Sequence, residues 1–117
     1  MAWAVLYHDM FLPELEALSD GVQNELLALV ELLIVSGPTL GRPHADTLAG
    51  SKYGNMKELR FTADEGVWRV AFAFDPKRRA IILVAGDKSG VGQKRFYKGL
   101  IAKADARFAE HLETLKG

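Results

Sequence analysis

The stretch "MKELRFTADEGVWRVAFAF" (56–74) holds a carboxylate and two guanidinium groups, Glu58, Arg60 and Arg69. Lys88 and Tyr97 follow at the end of the next apolar run and at the start of the last helical segment. Arginine and lysine bind phosphate and stabilise charge that develops on phosphoryl oxygens. A carboxylate beside them can remove a proton, and a tyrosine or lysine can return one. Such a set can act without a metal when the substrate carries its own nucleophile, as RNA does in its 2′-hydroxyl. The chemistry therefore suits RNA better than DNA. The same residues also read as an ion-pair network on a solvated sheet, with Glu58 bridging the two arginines.

Strand parity decides whether these groups can meet. Three apolar runs, "MKELRFT", "VWRVAFAFD" and "AIILVAG", are separated by "ADEG" and "PKRR", breaks short enough for hairpins. Along the first run Lys57, Leu59 and Phe61 share one face, and Glu58 and Arg60 share the other. Along the second, Trp68, Val70, Phe72 and Phe74 oppose Arg69, Ala71 and Ala73. If the apolar faces meet the helices, Glu58, Arg60 and Arg69 lie together on the uncovered face.

The remaining segments supply the frame. "AWAVLYH" reads as a strand. "FLPELEALSDGVQNELLALVELLIVSG" reads as two helices, with Pro13 in a first turn and a break near Gly21. Val22, Leu26, Leu29, Val30 and Leu33 recur at helical spacing. "PTLGRPHADTLAGSKYGN" has turn chemistry throughout and reads as a long connection. "QKRFYKGLIAKADARFAEHLETLKG" reads as a closing helix. The order β-α-α-β-β-β-α predicts a small single α+β domain over 1–117. Its sheet is expected to be mainly antiparallel, with helices packed on one face.

The glycine-rich run "GDKSGVGQKRFY" looks at first like a nucleotide loop, but Gly92 is followed by Gln93 where a phosphate-binding loop needs lysine. The dinucleotide pattern fails as well, because Arg95 stands in the third glycine position. His8, His44 and His111 lack metal-ligand spacing, so no metal and no cofactor is expected. With no cysteine among 117 residues, disulfides and thiolate zinc sites are excluded. No signal peptide or membrane span is apparent, so a cytoplasmic protein without membrane attachment is expected. The formal charge is zero, yet it is unevenly distributed. Residues 1–42 carry one Lys/Arg against six Asp/Glu, and residues 43–100 carry eleven against six. A basic middle suits an anionic partner such as nucleic acid.

Three segments, "LGRPHADTLAGSKYGNMKELRF", "VWRVAFAFDPKRRAIILVAGDK" and "RFYKGLIAKADARFAEHL", present ELR, WR-V, GDK and FY elements in order over nearly the whole chain. In these the chain resembles the RelE/HigB-like toxins of bacterial type II toxin–antitoxin modules, especially the phage-derived branch near HigB. The resemblance implies a RelE-like fold and a ribosome-dependent mRNA endonuclease that uses the RNA 2′-hydroxyl. It implies ribosome and mRNA as targets and a helix-turn-helix antitoxin as partner, and leaves the oligomeric state open. Carried over by position, Glu58 is the general base, Arg60 and Arg69 bind phosphate, Lys88 stabilises charge, and Tyr97 donates a proton or stacks on a base. Lys57, Lys94 and Arg95 are expected as further RNA contacts. Relatives of the same fold that bind DNA gyrase, or that only bind an antitoxin, are the alternatives.

Overall fold

The computed structural model describes residues 2–116. Among them the chain forms β1 (Ala4–Tyr7), α1 (Phe11–Ala17), α2 (Asp20–Ser36), a short 3-10 turn (Gly37–Thr39), β2 (Ala45–Thr47), β3 (Met56–Ala63), β4 (Gly66–Phe74), β5 (Arg79–Asp87) and α3 (Gln93–Thr114). The five strands make one sheet in the order β1-β5-β4-β3-β2. β3, β4 and β5 are the expected antiparallel meander, and β1 lies parallel to β5. The α1–α2 pair carries the chain from β1 across to the opposite edge of the sheet. The α+β class therefore holds, with a mixed sheet.

Two local expectations change. β2 lies inside the stretch read as a connection. Its three residues pair with Leu59, Glu58 and Lys57, and edge strands this short leave little period-2 signal amid turn residues. The break between the helices falls at Leu18–Ser19, before Gly21. Ser19 caps α2 by accepting from the Val22 N–H at 3.3 Å, and its hydroxyl donates to the Asp64 carboxylate. Gly21 sits inside α2, where a Cβ would come 2.4 Å from Asp64 Oδ1. Its smallness lets the helix approach the β3–β4 turn.

A larger correction concerns the layers. Phe11, Leu26, Leu29 and Leu33 of α1 and α2 pack on Leu59, Val70, Phe72 and Ile82, as the apolar parity requires. The other face is covered as well. Leu100, Ala104 and Phe108 of α3 pack on Ala71, Ala73, Ile81 and Leu83. The helices thus occupy both faces, not one. Ala71 and Ala73 make a shallow floor on which a helix can lie close, and a bulge in β5 adds apolar surface. Ala71 pairs with Val84 and Phe72 with Ile82, which turns both Leu83 and Val84 toward α3. Arg107, buried in α3, pins this layer by donating to the Leu83 carbonyl at 2.8 Å and to the Glu14 carboxylate of α1.

The far end of the sheet is held by Asp75, whose side chain is fully buried. It accepts from the Lys77 and Arg79 N–H groups, the Arg79 guanidinium and His111 of α3. Burial pushes its pKa up, but the hydrogen bonds from His111 and Arg79 outweigh that and hold it below the usual value. No helix among the described residues is long and apolar enough to cross a membrane.

Candidate active site

β3 and β4 pair so that Arg60 lies directly opposite Arg69, and Glu58 opposite Ala71. Two guanidinium groups facing each other across a ladder repel. Glu58 relieves this repulsion. Arg60 Nη1 donates to Glu58 Oε2 at 2.9 Å, and Arg69 Nε stands 3.9 Å from Oε1. Glu58 and Arg69 are buried, with side chains only 4% and 8% exposed, whereas Arg60 is 26% exposed.

α3 completes the cluster from above. The Tyr97 hydroxyl donates to Glu58 Oε1 at 2.9 Å and accepts from Arg69 Nε at 3.2 Å. Arg69 is further fixed by donating from Nη1 to the Trp68 carbonyl at 2.9 Å. The result is one continuous chain, Arg60–Glu58–Tyr97–Arg69, linking two strands and a helix. Burial raises the Tyr97 pKa above its ordinary 10.0, and the hydrogen bond to Glu58 adds to the rise, while Arg69 opposes it. Tyr97 therefore holds its proton well beyond neutral pH.

The close seat of α3 depends on Gly86, the β5 partner of Arg69. A Cβ there would lie 2.8 Å from Phe96 Cε1. Phe96 rests against bare backbone at that point, and this sets the height at which the next residue, Tyr97, meets Arg69. The loop before α3 is ordered by Asp87. Its Oδ1 accepts from the Ser89 hydroxyl at 2.6 Å, the Ser89 N–H at 2.9 Å and the Val67 N–H at 3.0 Å. The bonds from Ser89, reinforced by the one from Val67, keep the Asp87 carboxyl below its usual pKa. Lys88 between them places Nζ 6.0 Å from the Tyr97 ring centroid, the cation–π range.

A groove of about 730 Å³ opens beside this chain, between β2 and the first turns of α3. Glu58, Arg60 and Tyr97 line it, with Leu48, Ala49 and Ile101 on its apolar side and Gln93, Lys94 and Lys98 along its rim. Arg69 and Lys88 do not line it. Arg69 stands behind Tyr97, and Lys88 lies over the Tyr97 ring. Of the residues expected as further RNA contacts, only Lys94 reaches the groove. Arg95 is exposed on α3 outside the lining, and Lys57 is on the opposite sheet face, where Nζ donates to the Pro38 carbonyl at 3.1 Å. Gln93 and Lys98 were not expected. Helical spacing from residues already singled out would have found both, since Gln93 precedes Tyr97 by one turn and Lys98 follows Lys94 by one turn. Among the described residues, no three His, Cys, Asp or Glu side chains gather so as to hold a metal ion.

Residues 13–109 match the family model of phage-derived Gp49-like proteins. Two curated relatives come from Mycobacterium tuberculosis (strain H37Rv). The candidate toxin HigB3 is 41% identical over 112 residues, covering 92% of this chain and 96% of its own. The candidate toxin HigB2 is 47% identical over 88 residues, 74% of this chain but only 43% of that longer protein. Among solved structures, an Escherichia coli toxin RelE carrying two arginine-to-alanine changes, in its free state, superposes with a TM-score of 0.62 at 12% identity. That match covers 88% of this chain and 97% of RelE. The archaeal RelE–RelB complex of Pyrococcus horikoshii OT3 provides a second neighbour, with a TM-score of 0.56 at 18% identity, covering 78% of this chain and 100% of that one. These two likenesses show the RelE fold. The family match and the extent of the HigB3 alignment establish that the chain belongs to the phage-derived Gp49-like family and has HigB toxin relatives.

Proposed function

We propose that the protein is the toxin of a type II toxin–antitoxin module and cleaves mRNA on the ribosome. The observation that carries this reading is the Arg60–Glu58–Tyr97–Arg69 chain at the wall of an open groove. Glu58 accepts the proton of an RNA 2′-hydroxyl, and the freed oxygen attacks the adjacent phosphorus. The bond from phosphorus to the 5′-oxygen breaks, and Tyr97 delivers its proton to that oxygen. The products are a 2′,3′-cyclic phosphate and a 5′-hydroxyl end. Arg60, the more exposed of the two guanidinium groups, neutralises the phosphoryl oxygens. Arg69 is a positioning residue that holds the Tyr97 hydroxyl, and Lys88 adds positive charge over the Tyr97 ring. In the free protein Tyr97 donates to Glu58, so the substrate enters by opening that hydrogen bond.

The names of the M. tuberculosis relatives support the toxin role, and the RelE–RelB neighbour supports neutralisation by an antitoxin partner. A helix-turn-helix antitoxin and a cytoplasmic site of action follow from the HigB resemblance. Primer-extension mapping of cellular mRNA after brief induction tests the activity. New cuts within translated regions are expected for the wild type and lost in Tyr97→Phe and Arg69→Ala. Arrested growth with intact mRNA would favour a gyrase-binding toxin, and normal growth with intact mRNA an inactive antitoxin-binding protein.

A further inference from the structure

The groove has two long sides. One is α3 between Gln93 and Ile101, and the other is the run Thr47, Leu48 and Ala49 at the end of β2. Thr47 and Leu48 are held from the sheet. Thr47 pairs with Lys57, and the Leu48 N–H donates to the Met56 carbonyl at 3.0 Å. Beyond them the chain turns over Ala49 and Gly50, neither of which makes a hydrogen bond among the described residues. The turn ends at Ser51, and there α3 takes hold of it. The Ser51 hydroxyl donates to Asp105 Oδ1 at 2.5 Å, and the Lys52 N–H donates to Oδ2 at 3.2 Å. The Ser51 oxygen in turn accepts from the Tyr53 N–H at 3.0 Å. Gly50 has a φ of +100°, and a Cβ on it would come 3.3 Å from Ile101 Cδ1, so the turn sits on the helix where Ile101 lines the groove. Asp105 follows Ile101 by one helical turn, on the same side of α3. It is the one α3 side chain that hydrogen-bonds this segment among the described residues.

We propose that Asp105 is a positioning residue for the groove: by gripping Ser51 and Lys52 it docks the 48–53 turn on α3 and keeps the groove wall ready to receive the RNA strand. The proposal rests on the endonuclease reading and extends it to how the substrate is held. The reacting chain Arg60–Glu58–Tyr97–Arg69 shares no hydrogen bond with residues 48–53 or with Asp105 among the described residues. Asp105 lies about 12 Å from Tyr97 along the helix axis. The clamp therefore acts on binding and leaves the bond-breaking groups in place. α3 itself is seated by Leu100, Ala104, Phe108 and Arg107, so it keeps its position when the clamp is removed. Without the clamp, Ala49 and Gly50 lose their fixed end, and the turn leaves α3 for part of the time. RNA then binds the docked fraction, and the apparent affinity falls in proportion to it.

The test measures kcat and KM separately on ribosomes programmed with a cleavable message, and reads the midpoint of thermal unfolding on the same samples. Asp105→Ala and Ser51→Ala should each raise KM about tenfold, which corresponds to roughly a tenth of the molecules keeping the turn docked, with kcat unchanged. Such a split marks the loss of binding that ground state and transition state share. Ser51→Thr keeps the hydroxyl and should retain the wild-type KM. The double variant Asp105→Ala with Ser51→Ala should raise KM by less than the product of the single effects, because both changes remove one interaction. An unchanged KM in both alanine variants, with or without a lower unfolding midpoint, would make the clamp purely structural and overturn the proposal while the endonuclease reading stands. A fall in kcat at constant KM would overturn it in the same way. If the wild type cuts no message, the proposal falls together with the endonuclease reading.

Discussion

Tyr97 carries the sharpest residue-scale consequence, because its proton makes a structural bond to Glu58 and, in the proposed cleavage, goes to the leaving group. Its pKa lies above 10.0, so the neutral phenol is the form that stabilises the fold. That contribution is complete below pH 10 and is lost as the pH rises through the raised value. Tyr7 is likewise raised, by burial. A tyrosinate absorbance titration should show Tyr97→Phe lacking one late-ionising group that the wild type has. A wild type whose Tyr97 ionises at or below pH 10 would contradict the buried, Glu58-bonded geometry. In cleavage, Tyr97→Phe should reduce the rate about 10²-fold or more, the usual worth of a general acid. The cluster around Tyr97 was legible in the sequence because parity alone puts Glu58, Arg60 and Arg69 on one face. The same parity places Lys57 on the other face, so counting it as an RNA contact went against the strand pattern. That Arg69 stands behind Tyr97 was not legible, since nothing in a strand pattern says how deep a helix will seat above it.

At the scale of elements, the site is an agreement between a hairpin and a helix, and Gly86 sets their spacing. Gly86→Ala puts a methyl group 2.8 Å from the Phe96 ring, so the ring must move, and Tyr97 moves with it. Overpacking of this kind costs about 1–3 kcal/mol. A displacement near 1 Å at a reacting group costs roughly 10²-fold in rate. The variant should therefore fold, with a lowered midpoint of thermal unfolding, and lose most cleavage. Gly86→Ala combined with Phe96→Leu should recover part of both. Full activity in the single variant would show that α3 does not set the geometry. The meander itself was readable from alternation and short breaks, as was the α2 stripe from Val22 to Leu33. The seat of α3 was not. Ala71 and Ala73 read as neutral filler on an open face, and only the bulge at Leu83 and Val84 turns that face into a floor for a helix.

For the whole molecule, a formal charge of zero gives no net monopole to attract RNA, so the proposed binding draws on local charge. The acidic excess lies in residues 1–42, which build β1, α1 and α2, and α1 and α2 pack on the face away from the Glu58 cluster. The groove rim is cationic through Lys94 and Lys98. Each lysine that neutralises a phosphate releases a counterion, and on single strands this steepens the salt dependence of log K by roughly 0.7 per contact. Affinity for a single-stranded RNA made uncleavable by a 2′-deoxy substitution, measured across salt concentrations, reads that slope. Lys94→Ala with Lys98→Ala should flatten it by about twice the single-contact value. Lys57→Ala should leave it unaltered, because that side chain is tied to Pro38 on the opposite face. A slope that responds to Lys57 and ignores Lys94 and Lys98 would mean that RNA crosses the other side of the sheet. The Glu58–Tyr97 chain would then be a structural ion-pair network, and the groove would need a different ligand.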